Sequence, residues 1–169
     1  MDKGNTKQLQ ILSDQNTQMK SCAFTGHREL QEDFDQKLLF QSIETLIKKG
    51  VEIFYNGMSK GFDLLSAQYV LSLKEKYPSV KLIACVPFYG QERNFSLSEK
   101  EVYAQILKQA DEKIILSDHY FRGCPLVRNR YMADRADVLI AYKRKESGGT
   151  AYTVGYFEKK YPQKEIIFL

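Results

Sequence analysis

Four stretches of this 169-residue chain set small or flexible backbone beside polar and basic side chains. Thr25-Gly26-His27-Arg28 offers a hydroxyl, an imidazole and a guanidinium around a glycine that lets a ligand approach the backbone closely. Asn56-Gly57-Met58-Ser59-Lys60-Gly61-Phe62-Asp63 has two glycines four apart ahead of a helical pattern. Free N–H groups and the helix dipole favour an anion at such a junction. Asp63 there either caps the helix or holds a ribose hydroxyl. Ser147-Gly148-Gly149-Thr150 opens another helix, and its adjacent glycines suit a backbone nest for phosphate. Lys143, Arg144 and Lys145 just upstream read as a solvated basic loop. In Arg128-Asn129-Arg130, one helical turn puts Arg128 and Met132 on one face while Arg130 points elsewhere. At least one of these arginines is therefore structural or solvated. The chemistry common to all four is recognition of a phosphorylated, ribose-bearing molecule. Neither a Walker A loop nor G-x-G-x-x-G is present. The two histidines and the carboxylates lack metal-ligand spacing, so no metal is expected.

Each glycine stretch follows a short apolar run, and these runs alternate with helical patterns. Strands are expected at 21–25, 51–55, 80–86, 113–116, 138–142 and 165–169. Helices are expected between them, with Gly50 ending the first and Tyr77-Pro78 the second. Either Ser96 with Glu99 or Ser98 with Glu101 forms a capping box, and Pro125 suits a helix's first turn. The runs are apolar throughout rather than alternating, as strands covered on both faces require. The expected fold is α/β: a single Rossmann-like domain over 21–169, with a mostly parallel open sheet of about six strands and helices on both faces. Ligands of such sheets bind beyond the carboxyl ends of the strands. That places the glycine stretches, and Pro87 after the third strand, at the site.

Residues 1–20 are polar and read as an N-terminal arm without the apolar core of a signal peptide. Cys22 and Cys85 lie in apolar runs as core residues, whereas Cys124, in Gly123-Cys124-Pro125, reads as a more exposed turn thiol. An odd, widely spaced set of three argues against a disulfide framework and for a reduced cytoplasmic setting. No apolar stretch is long enough for a membrane span. The net charge of +4 suits an anionic ligand but is too small to argue for DNA binding by itself.

Taken in order and spacing, Thr25-Gly26-His27-Arg28, Gly57-Met58 with Gly61 and Asp63, Arg128-Asn129-Arg130 and Gly148-Gly149-Thr150 resemble the SLOG superfamily. The branch they are most similar to is the YpsA/YoqJ type of small bacterial and phage-borne proteins. The resemblance runs from Ser21 to Leu169. It implies a Rossmann-like fold that binds nucleotides or nucleotide-derived molecules. The LOG branch releases the base from nucleoside 5′-monophosphates, the DprA branch binds single-stranded DNA, and others sense NAD- or ADP-ribose-derived signals. The LOG signature ends in a catalytic Glu, but Thr150-Ala151-Tyr152-Thr153 supplies no carboxylate and Glu158 is the nearest downstream.

The leading expectation is a binder or sensor of an NAD- or ADP-ribose-type ligand. Gly26, Gly57, Gly148, Gly149 and Thr150 would meet phosphates, Arg28 and Arg128 would balance charge, and Asp63 and Asn129 would hold ribose or base edges. Thr25, His27, Met58, Gly61, Pro87 and Ser147 complete the expected site. One alternative is a hydrolase of the N-glycosidic or phosphoester bond using Asp63, His27 or Glu92 as acid–base group. The other is a single-stranded DNA binder. A homo-oligomer is compatible with such a sheet.

Overall fold

Six strands alternate with five helices among the described residues, which are 19–169 of this computed structural model. In chain order they are β1 (Ser21–Gly26), α1 (Gln36–Lys48), β2 (Ile53–Asn56), α2 (Phe62–Lys76), β3 (Lys81–Val86), α3 (Leu97–Gln109), β4 (Glu112–Ile115), α4 (Cys124–Arg135), β5 (Val138–Tyr142), α5 (Gly149–Lys160) and β6 (Glu165–Phe168). A short 3-10 turn, Gln91–Asn94, precedes α3. Of the expected arm, only Met19 and Lys20 lie within the described residues.

The strands form one sheet in the order β4-β3-β2-β1-β5-β6, with every neighbouring pair parallel. Alternate residues of the inner strands feed two separate cores. Cys22, Phe24, Phe54, Leu82, Ala84, Val138, Ile140 and Tyr142 pack with α1, α2 and α3. Ala23, Ile83, Cys85, Leu139 and Ala141 pack with α4 and α5. The inner strands look uniformly apolar in sequence because successive side chains enter opposite cores. The edge strands β4 and β6 keep exposed residues at both ends.

Local chemistry sets the helix boundaries. Asp35 caps α1 by accepting the Leu38 amide at 2.9 Å, and Gly50 turns the chain away at φ 103°. Of the two possible capping boxes, Ser96 with Glu99 forms, with both reciprocal hydrogen bonds. One expectation is corrected: Cys124 is buried, 1% exposed, because it opens α4 and faces inward. All three cysteines are thus enclosed.

Candidate functional site

The chain proceeds outward from β1 through β2 and β3 to β4, then returns by α4 to the other side of β1. The strand order therefore switches between β1 and β5, where Thr25 lies beside Ala141 and Gly26 beside Tyr142. The connections from these two strands leave toward opposite faces, which opens a crevice at their carboxyl ends. A cavity of about 290 Å3 occupies it. Thr25, Gly26, His27 and Arg28 form one wall, and Ser147, Gly148, Gly149 and Thr150 another. Asp63, Arg128 and Asn129 close the floor, so most of the expected site is brought together.

The start of α5 faces this cavity without a side-chain cap. The Tyr152 amide bonds the Gly148 carbonyl at 3.0 Å, leaving the N–H groups of residues 149–151 ahead of the first intrahelical bond. Gly148 sits at φ 96°, ψ −174°, a conformation essentially restricted to glycine. Thr25 and Thr150 are each 6% exposed. No fully enclosed side-chain polar atom among the described residues lacks a partner, and neither hydroxyl is bonded to a described residue, so both look into the cavity. In the basic loop, Lys143 pairs with Glu146 and Arg144 with Asp33. Lys145 is exposed, as a solvated loop requires, and it also lines the cavity alongside Arg28.

Arg128 and Asn129 tie two loops together across the floor. Arg128 donates from Nε to Asn129 Oδ1 at 2.7 Å, from Nη1 to the Gly57 carbonyl, and from Nη2 to Ser59 Oγ at 3.3 Å. Asn129 donates to Thr153 Oγ1 at 2.9 Å, and that hydroxyl donates to the Gly149 carbonyl at 2.8 Å. A continuous relay therefore runs from the β2–α2 loop to the first turn of α5. Arg128 is buried, whereas Arg130 is half-buried and points elsewhere to bond Tyr152 Oη at the surface, the division of roles expected from helical spacing.

Asp63 does not act as the N-cap of α2; Gly61 holds that position, and Asp63 Oδ2 accepts the Ser59 amide at 3.2 Å. Burial pushes its carboxyl up to about 6, against the opposing pull of Arg128. His27 is held below its usual range by burial, then by Lys145 and Arg144. Its Nε2 accepts the Arg144 amide at 2.8 Å, so that nitrogen latches the β1 loop to the β5 loop and Nδ1 is the one left to donate.

The other glycine stretch departs further from expectation. Gly57 and Met58 do not line the cavity. The Gly57 carbonyl receives Arg128, and Gln91 bonds both the Gly57 and Met58 carbonyls, at 3.3 and 2.6 Å. Met58 is fully buried, with its backbone at φ 59° and its amide bonded to Asn56 Oδ1. A Cβ on Gly61 would lie 2.3 Å from the Arg28 carbonyl oxygen, and the Phe62 amide is spent on the His27 carbonyl. Protein groups thus fill the space read as a phosphate cradle. Gly26 borders the cavity, but its missing side chain makes room for the Phe62 ring, 2.3 Å from an added Cβ. Pro87 is buried and borders an adjoining chamber, while Glu92 lines a separate pocket near Tyr103. Sequence reasoning missed Ser59, whose signal was its place between the two glycines, and Pro125 and Leu126, whose place at the start of α4 gave none.

Known proteins are similar to this chain in sequence or in fold. The UPF0398 protein YpsA of Bacillus subtilis (strain 168) is 28% identical over 159 residues, covering 86% of this chain and 88% of its own. A UPF0398 protein of Bacillus velezensis is 30% identical over 156 residues, covering 84% and 85%. DNA processing protein A (DprA) from Streptococcus pneumoniae has the same fold, with a TM-score of 0.64 at 17% identity over 89% of this chain; the chain spans half of that protein. DprA from Helicobacter pylori, whose structure concerns single-stranded DNA binding, gives 0.63 at 19% identity over 98% of this chain and 68% of its own. Residues 22–168 match the YpsA family model, described as the YspA SLOG family, and the chain belongs to that family.

Proposed function

We propose that the chain binds a nucleotide-derived ligand of the ADP-ribose or NAD type, with its phosphates at the start of α5. The observation that carries this reading is the uncapped helix start at the β1–β5 switch point, facing Arg28, Lys145 and two threonine hydroxyls that bond no other described residue. Backbone N–H groups and the helix dipole supply anion recognition there. Asp63, facing the same cavity, suits a ribose hydroxyl better than a phosphate. Reduced, cytoplasmic surroundings fit a ligand of this kind.

Thermal denaturation with ADP-ribose, NAD and AMP tests the reading. A ligand at 100 times its dissociation constant stabilises the native state by about 2.7 kcal/mol, a rise of roughly 5–10 °C. Gly149→Asp is the control. An added Cβ meets only Asn129 Nδ2, at 3.8 Å, and an acidic residue in the first turn favours the helix itself. The variant should melt no lower than wild type when unliganded and lose the ligand's effect. An undiminished shift in this variant would refute the proposed phosphate position.

A second reading, single-stranded DNA, is favoured by Tyr89, Tyr120 and Phe121, which are 68%, 62% and 43% exposed. Tyr120 borders the cleft, and aromatic platforms beside basic groups stack bases. Oligonucleotide affinity falling steeply with salt is its expected mark.

A further inference from the structure

The cleft continues past Ser59 into a second chamber of about 540 Å3, more apolar than the first. Its apolar walls are Pro87, Phe88, Phe95 and Tyr120, and Lys60 and Arg93 add positive charge to its lining. Gly90, at φ 90°, turns the chain after β3 into the 3-10 segment, and Gln91 pins that segment to the β2–α2 loop through the Gly57 and Met58 carbonyls. The Tyr89 amide bonds the Ser117 carbonyl at 3.0 Å, joining this loop to the one that carries Tyr120. Phe88 and Tyr120 meet edge to face at 5.4 Å. The chamber is therefore built by anchored loops.

Besides these cations, which make no ion pair among the described residues, two features are unused by the fold. Tyr120 holds an aromatic ring at the mouth with 62% of its surface exposed. Asn94 presents a carboxamide there that makes no side-chain hydrogen bond among the described residues. Aromatic faces with one free amide suit a planar heterocycle that stacks and is read at its edge. Arg28, Ser59, Pro125 and Arg128 border both chambers, so one ligand can extend from the start of α5 into the second.

We propose that this second chamber takes the nucleobase of the bound ligand, a placement that rests on the phosphate reading above. The ligand is then a nucleotide in the full sense, recognised at both ends, rather than a phosphorylated sugar.

Calorimetric titration of AMP, GMP, CMP, UMP, ADP-ribose and ribose 5-phosphate into wild type, Tyr120→Ala, Asn94→Ala and Gly149→Asp tests this. At least one nucleotide should bind wild type tenfold or more tighter than ribose 5-phosphate. Tyr120→Ala should weaken that nucleotide about tenfold, the scale of a lost base–aromatic stack, and leave ribose 5-phosphate within about twofold. Asn94→Ala should change the ranking among the four bases. Because Tyr120 is exposed, its variant should melt as wild type does. Equal binding of nucleotide and ribose 5-phosphate overturns the proposal, as does a Tyr120→Ala effect on both or on neither. Nucleotide binding that survives Gly149→Asp but not Tyr120→Ala refutes the phosphate reading while keeping the base chamber. The converse result removes the base chamber alone, and absence of binding by every compound removes both.

Discussion

Asp63 should cost this protein stability wherever it is ionised. Its carboxyl is 6% exposed and raised to about 6, whereas an unfolded chain holds it near ~3.9. The folded state therefore binds the proton more tightly than the unfolded state, and stability falls as pH rises through the interval between these values. Integrated over that interval, the penalty is about 3 kcal/mol at pH 8 and about 1.5 kcal/mol at pH 5. Asp63→Asn keeps an oxygen for the Ser59 amide but carries no charge. It should be more stable than wild type by up to those amounts, with the gain shrinking as pH falls. A domain of this size has about 5–15 kcal/mol in total, so the effect is large enough to measure by urea unfolding at pH 5, 6, 7 and 8. Arg128 sets the opposing case. If its attraction dominates burial, the ionised carboxylate is the stabilising form, and Asp63→Asn loses stability most at pH 8. That outcome, or a difference independent of pH, refutes the reasoning. A confirmed penalty would mark Asp63 as a group kept at the cavity for its ligand rather than for the fold.

Other positions give simpler expectations. Gly148→Ala has open space for its Cβ but not the backbone freedom, so it should cost about 1–3 kcal/mol and lower the melting temperature by several degrees. Ser96→Ala removes the cap of α3 and should cost about 1 kcal/mol in urea unfolding. In the native protein Cys22, Cys85 and Cys124 should all resist a thiol reagent, and all three should react in denaturant; burial pushes Cys85 up to about 12. One thiol titrating rapidly before unfolding would contradict the inward position of Cys124.

The fold was legible because its signals are local and repeated. Apolar runs of strand length alternate with helical patterns, and Gly50 and Ser96 mark boundaries that the backbone obeys. The glycines at the start of α5 were also legible as a strand-to-helix turn, and there the structure leaves them facing the cavity. The β2–α2 stretch was not. It carries the same residue types, yet its Gly57 and Met58 carbonyls are consumed by Arg128 and Gln91, which lie 71 and 34 residues away from Gly57, and its Met58, Ser59 and Phe62 amides by Asn56, Asp63 and the His27 carbonyl. A glycine's missing side chain admits a ligand or another part of the protein equally well, and only tertiary contact decides which. Gly26 and Gly61 make room for Phe62 and for the Arg28 backbone, while Gly148 has nothing against it.

That difference gives the site its logic. The β2–α2 loop supplies a scaffold: its Gly57 carbonyl and Ser59 hydroxyl hold the buried guanidinium of Arg128, and Arg128 orients Asn129 against Thr153 and thereby the first turn of α5. Arg128→Lys keeps the charge but has no planar fork to bond Gly57, Ser59 and Asn129 at once. It should therefore loosen α5's entry as well as the loop. If the helix start is the phosphate site, this variant should weaken phosphate-bearing ligands although Arg128 spends donors on three protein groups. Hydrogen exchange of the Gly149, Thr150 and Ala151 amides reads the loosening directly. Faster exchange there, together with weaker binding, supports transmission through the relay. Weaker binding with unchanged exchange would instead make Arg128 a direct contact of the ligand.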